Sequence, residues 1–170
     1  GKGAAIAFNA LNIGRYKLGA ASVGGIKLAL EETIKYALER RQFGQPIARF
    51  DAIRGKIADI SVQLFAADAM LYRTVGLIQD AIDDLDKNDP DYYKKMGEAT
   101  ERFAVEVSMV KVLGSETSDM CIDTCLQIFG GYGFIEEYPM ARAYRDDRIN
   151  SIWEGTNEIN RMIITGYMMK

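Results

Sequence analysis

The 170-residue chain has no histidine, two cysteines, three prolines and one tryptophan. Without histidine, Ser–His and Cys–His nucleophile pairs and histidine metal ligands are excluded. Acid–base chemistry near neutral pH then falls to Glu, Asp, Lys, Tyr or Cys. Cys121 and Cys125 stand four residues apart, on one face of a helix. A disulfide there is strained, so reduced thiols in an intracellular protein are expected, and no metal site is implied. No apolar run reaches the roughly 18 residues of a transmembrane helix, so no membrane span is expected. The formal net charge of -3 carries no basic surplus. Nucleic acid is therefore not expected as a partner. The start, Gly1-Lys2-Gly3-Ala4-Ala5, lacks the charged end and long apolar stretch of a signal peptide. It reads as a cut within a longer protein, with residues 1–170 forming one domain.

What the chain does contain is helical spacing. The prolines at 46, 90 and 139 divide it into long blocks. Residues 6–42 carry an apolar stripe of Val23, Ile26, Leu30 and Ile34. Gly19, Gly24 and Gly25 inside this block suggest close helix packing or a ligand passing near the backbone. Phe43-Gly44-Gln45-Pro46 ends it with turn residues. Residues 50–85 form a second block with Ile53, Ile57, Ile60, Leu64 and Ala67 on one side. Residues 83–90 are an acidic helix end and turn, at the tip of an extended helical hairpin. A third block spans residues 91–128, with Phe103, Val107, Val110, Val112 and Leu113 available for burial. A short helix over 140–145 follows, and a last helix runs from about 156 to the end. No alternating strand pattern competes. The expected fold is all-α: an up-and-down four-helix bundle with a short additional C-terminal helix.

Four stretches carry candidate chemistry. In Trp153-Glu154-Gly155-Thr156, Thr156 is a plausible helix N-cap, with acidic Glu158 in the first turn. Glu154 then lies on the preceding loop between a large aromatic and a glycine. A carboxylate so placed is either a partly desolvated general base with a raised pKa or a solvated surface group. Gln127-Ile128-Phe129-Gly130-Gly131-Tyr132-Gly133-Phe134 is either a phosphate-approaching glycine loop or a plain helix stop. No strand precedes it, so it is not a dinucleotide fingerprint. Arg40 and Arg41, in the run continuing Gln42-Phe43-Gly44, either hold a pyrophosphate or complement a helix C-terminus. Arg15, a lone cation in an apolar helix, either faces a ligand or snorkels to solvent.

These stretches, with Asn12-Ile13-Gly14-Arg15 and Tyr144-Arg145-Asp146, follow one another in the order found in the acyl-CoA dehydrogenase family, which the whole chain resembles. Its very-long-chain-like members are nearest in pattern. The resemblance implies the C-terminal helical domain of a FAD flavoprotein of fatty-acid β-oxidation. The implied reaction is α,β-dehydrogenation of acyl-CoA to trans-2-enoyl-CoA, with Glu154 as catalytic base. It implies a homodimer or homotetramer, with electrons leaving to an electron-transfer flavoprotein. Arg40, Arg41, Gln42 and Phe43, and Gln127, Ile128, Phe129, Gly130 and Gly131, would contact the FAD of a neighbouring subunit. Gly155, Thr156, Asn157 and Glu158 would contact their own subunit's FAD. Asn12, Arg15 and Trp153 would lie at the acyl-CoA. Some relatives carry the base just before the arginine matching Arg15; Gly14 stands there in this chain, which leaves Glu154. The isolated domain is expected to bind FAD weakly and not to turn over. The protein is expected in the cytoplasm of a bacterium or the mitochondrial matrix of a eukaryote. The alternatives are an acyl-CoA oxidase-like flavoenzyme and a non-catalytic helical assembly module.

Overall fold

A computed structural model of the chain describes residues 3–169. It is all-α, as the spacing predicts. The first helix, α1 (Gly3–Glu39), runs 37 residues. A hairpin and a short 3-10 turn (Ile47–Arg49) lead into α2 (Asp51–Asp83). A turn over residues 84–91 reverses the chain into α3 (Tyr92–Glu101) and α4 (Ala104–Phe129). The short α5 (Gly131–Phe134) and α6 (Pro139–Asp147) follow, then a 3-10 turn (Arg148–Ser151) and α7 (Asn157–Met168).

Two local features differ from the sequence reading. The third block is two helices, parted at Arg102 and Phe103. The turn after α1 is a small antiparallel hairpin, β1 (Arg41–Gln42) and β2 (Gln45–Pro46). Its two loop residues, Phe43 and Gly44, have φ of 49° and 82°. Positive φ at both loop positions gives the backbone twist that suits a two-residue hairpin. Arg41 closes it by donating to the Gly44 carbonyl at 3.0 Å.

Helix α4 is the central element and packs against α1, α2, α6 and α7. It lies parallel to α1, and partners along the pair advance together, from Gly19 beside Val110 to Tyr36 stacked on Phe129. The axes approach closely where two glycines meet. A Cβ built on Gly114 would sit 3.1 Å from the Gly19 Cα, and one on Gly19 would overlap Val110. Gly19 is therefore a packing glycine. Gly24 and Gly25 face open space.

The core forms between these helices. Ile26, Ala29, Ile60, Cys121, Ile122, Cys125, Phe129 and Met140 make one cluster. Val23, Ala67, Leu71 and Val110 make a second. Full burial of such aliphatic side chains is worth about 1.5–3 kcal/mol each. Both thiols are free and buried, and burial pushes Cys121 up to about 12. Ile34, expected on the apolar stripe, is exposed; Thr33 and Ala37 take the inward positions of that turn. Among the described residues no helix is long and apolar enough to cross a membrane. None of them form a group of three or more His, Cys, Asp or Glu side chains able to hold a metal ion.

Candidate functional site

The loop between Ser151 and α7 concentrates the chain's unusual backbone. Glu154 has φ 57° and Gly155 has φ 83°. The left-handed region costs a non-glycine residue on the order of 1–2 kcal/mol. A glutamate held there needs a surrounding structure that over-determines it, and such strain concentrates at functional sites.

Three groups hold the loop. Thr156 caps α7, its hydroxyl accepting from the Ile159 N–H at 3.4 Å. The Asn160 side-chain amide, fully buried, donates to the Gly155 carbonyl at 2.7 Å and the Thr156 carbonyl at 3.1 Å, with the Glu154 carbonyl at 3.4 Å. From the other side, Arg15 Nε donates to the Glu154 carbonyl at 3.3 Å. The Arg15 guanidinium is buried and also donates to Asn12 Oδ1 at 2.8 Å. Burial lowers its pKa, and the nearby Glu154 carboxylate opposes that effect. Arg15 thus points inward and does not snorkel.

The Glu154 side chain comes to rest on Gly14. A Cβ built on Gly14 would overlap the carboxylate, lying 2.6 Å from Oε1. The missing side chain at position 14 is the space the carboxylate occupies. Trp153 flanks it, half exposed. Arg15 and Asn12 line an adjoining cleft of about 340 Å³, together with Asn9, Glu101 and Tyr167.

Beneath the first turn of α7 lies a second layer, of which the sequence reading named Asn157, as a flavin contact, but not Lys111, Ser115 or Glu116. Asn157 is buried, and its Oδ1 accepts from Lys111 Nζ at 2.6 Å and from the Ser115 hydroxyl at 3.2 Å. Its Nδ2 donates to Glu116 at 3.2 Å, and Glu116 pairs with Arg161 at 2.7 Å. Glu158 is exposed, its carboxylate held below the usual range by its own backbone N–H and the Thr156 hydroxyl. Lys111 and Asn160 gave no signal beyond their residue type. Their partners lie on other elements or on an irregular loop, which periodicity does not report.

The other predicted segments meet far away, at the opposite end of α1. Arg40, Gln42, Ile128, Phe129, Gly130, Gly131 and Tyr132 line a cleft of about 460 Å³. The Arg40 guanidinium lies over the Tyr132 ring, 4.8 Å from its centre. Tyr36 stacks on Phe129 at 4.1 Å and donates to its carbonyl at 3.2 Å, fixing the end of α4. Gly130 has φ 60° and turns the chain sharply there. Arg41, Phe43 and Gln127 are exposed and do not line this cleft. Arg40 and Arg15 are 25 positions apart on or just past one helix, so about 38 Å separates the two sites at 1.5 Å per residue.

Fold and site together define a helical domain that offers a strained, buttressed carboxylate at one end and an arginine- and glycine-lined cleft at the other. The chain belongs to the acyl-CoA dehydrogenase family: residues 1–169 match the model of the acyl-CoA dehydrogenase C-terminal domain. It is 46% identical over 170 residues to a probable acyl-CoA dehydrogenase of Bacillus subtilis, covering 100% of this chain and 29% of that protein. It is 39% identical over 169 residues to a subunit of the caffeyl-CoA reductase–Etf complex of Acetobacterium woodii, covering 99% of this chain and 40% of that one. The acyl-CoA dehydrogenase of Bacillus anthracis, solved with FAD, superposes with a TM-score of 0.96 at 48% identity, over 99% of this chain and 29% of that one. The butyryl-CoA dehydrogenase of Megasphaera elsdenii gives 0.83 at 33% identity, over 100% and 39%. The chain therefore spans under half the length of these relatives.

Proposed function

We propose that residues 1–170 act as the C-terminal domain of a FAD-dependent acyl-CoA dehydrogenase and supply its catalytic base, Glu154. The observation that carries this reading is the carboxylate seated over Gly14, on a left-handed loop pinned by Arg15 and Asn160. A general base works when held at one position, and a carboxylate on a buttressed loop meets that requirement.

The residues present fit the flavin nucleotide. The cleft at Arg40 offers a guanidinium suited to phosphate, glycine backbone at Gly130 and Gly131 for close approach, and aromatic walls at Phe129 and Tyr132. When bound, FAD supplies the hydride acceptor. Glu154 takes the α-proton of the thioester, and its backbone N–H donates to the thioester carbonyl, making that proton more acidic. Trp153 borders the thioester and excludes water from it. Asn12 and Arg15 line the acyl-CoA side, with Arg15 keeping the Glu154 carbonyl turned away from the reacting carboxylate. Gly155, Thr156, Asn157 and Glu158 hold the flavin of their own subunit. Arg40, Gln42 and the segment from Gln127 to Gly131 hold that of a neighbour, with Arg41 and Phe43 on the adjoining hairpin. The roughly 38 Å between the two clusters supports this division, because a single flavin nucleotide does not reach both within one chain. The whole protein is then at least a homodimer, with an electron-transfer flavoprotein as acceptor. The Acetobacterium woodii relative, named for such a complex, supports that partner.

In the full-length protein, Glu154→Gln is expected to keep FAD bound and to slow flavin bleaching by acyl-CoA by roughly 1,000-fold or more. Rapid mixing under anaerobic conditions reads this directly. Bleaching at the wild-type rate would remove Glu154 as the base.

A further inference from the structure

Lys111 is the largest fully buried side chain among the described residues, at 0% exposure on α4. Burying an ammonium group costs several kcal/mol, and an apolar side chain of similar volume fills such a space more cheaply. Lys111 is also placed against the helix dipole. Its acceptor, Asn157 Oδ1, belongs to the first residue of α7, at the positive pole of that helix. Ordinary packing or capping therefore does not account for a cation here.

Its charged neighbours give a reason. Glu158 lies on α7, Arg15 on α1, Glu116 on α4 and Glu154 on the loop, with Arg161 beyond Glu116. Two buried cations, Lys111 and Arg15, thus approach the Glu154 loop from beneath, from α4 and α1, and both interact electrostatically with Glu154. The α7 N-terminus adds partial positive charge to the same place. Fixed positive charge stabilises negative charge developing on a nearby oxygen.

Resting on the reading of Glu154 as the base, we propose that Lys111 is a positioning residue for this site. Its ammonium group, anchored on Asn157, fixes the first turn of α7 and supplies positive charge beneath the Glu154 loop. That charge stabilises the negative charge that develops on the polarised thioester oxygen. Desolvation brings the Lys111 pKa down to about 8, so its charge is present at neutral pH and is lost on the alkaline side.

The test is the pH profile of flavin reduction by acyl-CoA in the full-length holoprotein. In the wild type, the rate is expected to fall as pH rises past about 8, as Lys111 loses its proton. In Lys111→Gln and Lys111→Met, that alkaline fall disappears and the rate at pH 7 drops about tenfold. A purely structural lysine would lower the rate or the FAD content and leave the alkaline fall in place. An alkaline fall that persists in a variant that retains FAD overturns the proposal. If neither variant folds, a wild-type rate that stays flat from neutral pH to well above 8 overturns it. Glu154→Gln, run in parallel, keeps the two claims apart. Wild-type bleaching there removes the base itself, whatever Lys111 does.

Discussion

Gly14 and Glu154 interlock, although 140 positions separate them in the sequence. The carboxylate occupies the volume that any side chain at position 14 would need. Gly14→Ala therefore makes a sharp probe. Alanine in a helix interior is favoured over glycine by about 0.5–1 kcal/mol, so the helix itself should not suffer. The added methyl must push the carboxylate aside, and a misplacement of about 1 Å can cost a reaction about 100-fold. The full-length variant is expected to keep its FAD and its melting temperature and to bleach about 100-fold more slowly with acyl-CoA. A wild-type rate would show that the carboxylate acts from some other position. At this scale the sequence was partly legible. Thr156 as N-cap follows from residue type and place, and the structure has it. Glu154 and Arg15 stood out because a glutamate beside a glycine and a cation in an apolar helix are unusual. Asn160 and Lys111 did not stand out. A buried asparagine spanning three carbonyls and a lysine under a helix start are visible only once the chain is folded.

Among elements, the α1–α4 pair sets the geometry. α1 carries Gly14 and Arg15 near one end and leads to Arg40 at the other, and α4 carries Lys111 and then Phe129 beside them. Their parallel alignment rests on the Gly19–Gly114 crossing. Gly114→Val puts three extra carbons against the Gly19 backbone, which cannot give way as a side-chain tip can. Overpacking of this kind costs about 1–3 kcal/mol. The expected result is a drop of several degrees in melting temperature, with loss of activity following loss of fold. An unchanged midpoint would mean that the two helices have room to separate. Helix existence and order were legible from the apolar spacing and the three prolines. The break at Arg102 and Phe103 was not, because no proline or glycine marks it. The hairpin at 41–46 was read only as a turn, since two-residue strands are too short to alternate. Ile34 was misplaced because Thr33 and Ala37 serve the inward face of α1 at that turn, which hydrophobicity alone does not show.

For the whole molecule, the distance between the two sites is the decisive feature. If each flavin is held by the Glu154 loop of one subunit and the Arg40 cleft of another, two different defects can complement each other. In a mixed dimer of Glu154→Gln and Arg40→Ala full-length chains, one shared site collects both lesions and the other is intact. Random pairing of equal amounts puts half the chains in mixed dimers, so about one quarter of the wild-type sites should return. Each variant alone should have few or none. The measurement is flavin bleaching by acyl-CoA after co-expression with two different affinity tags, with mixed dimers isolated by sequential capture. Isolated mixed dimers should regain about half the sites of wild type. If each subunit instead built its site from its own residues, every site in the mixture would keep one lesion and no activity would return. Restoration would require that the arginine cleft and the glutamate loop come from different chains. It would also explain why one domain holds two halves of a site about 38 Å apart.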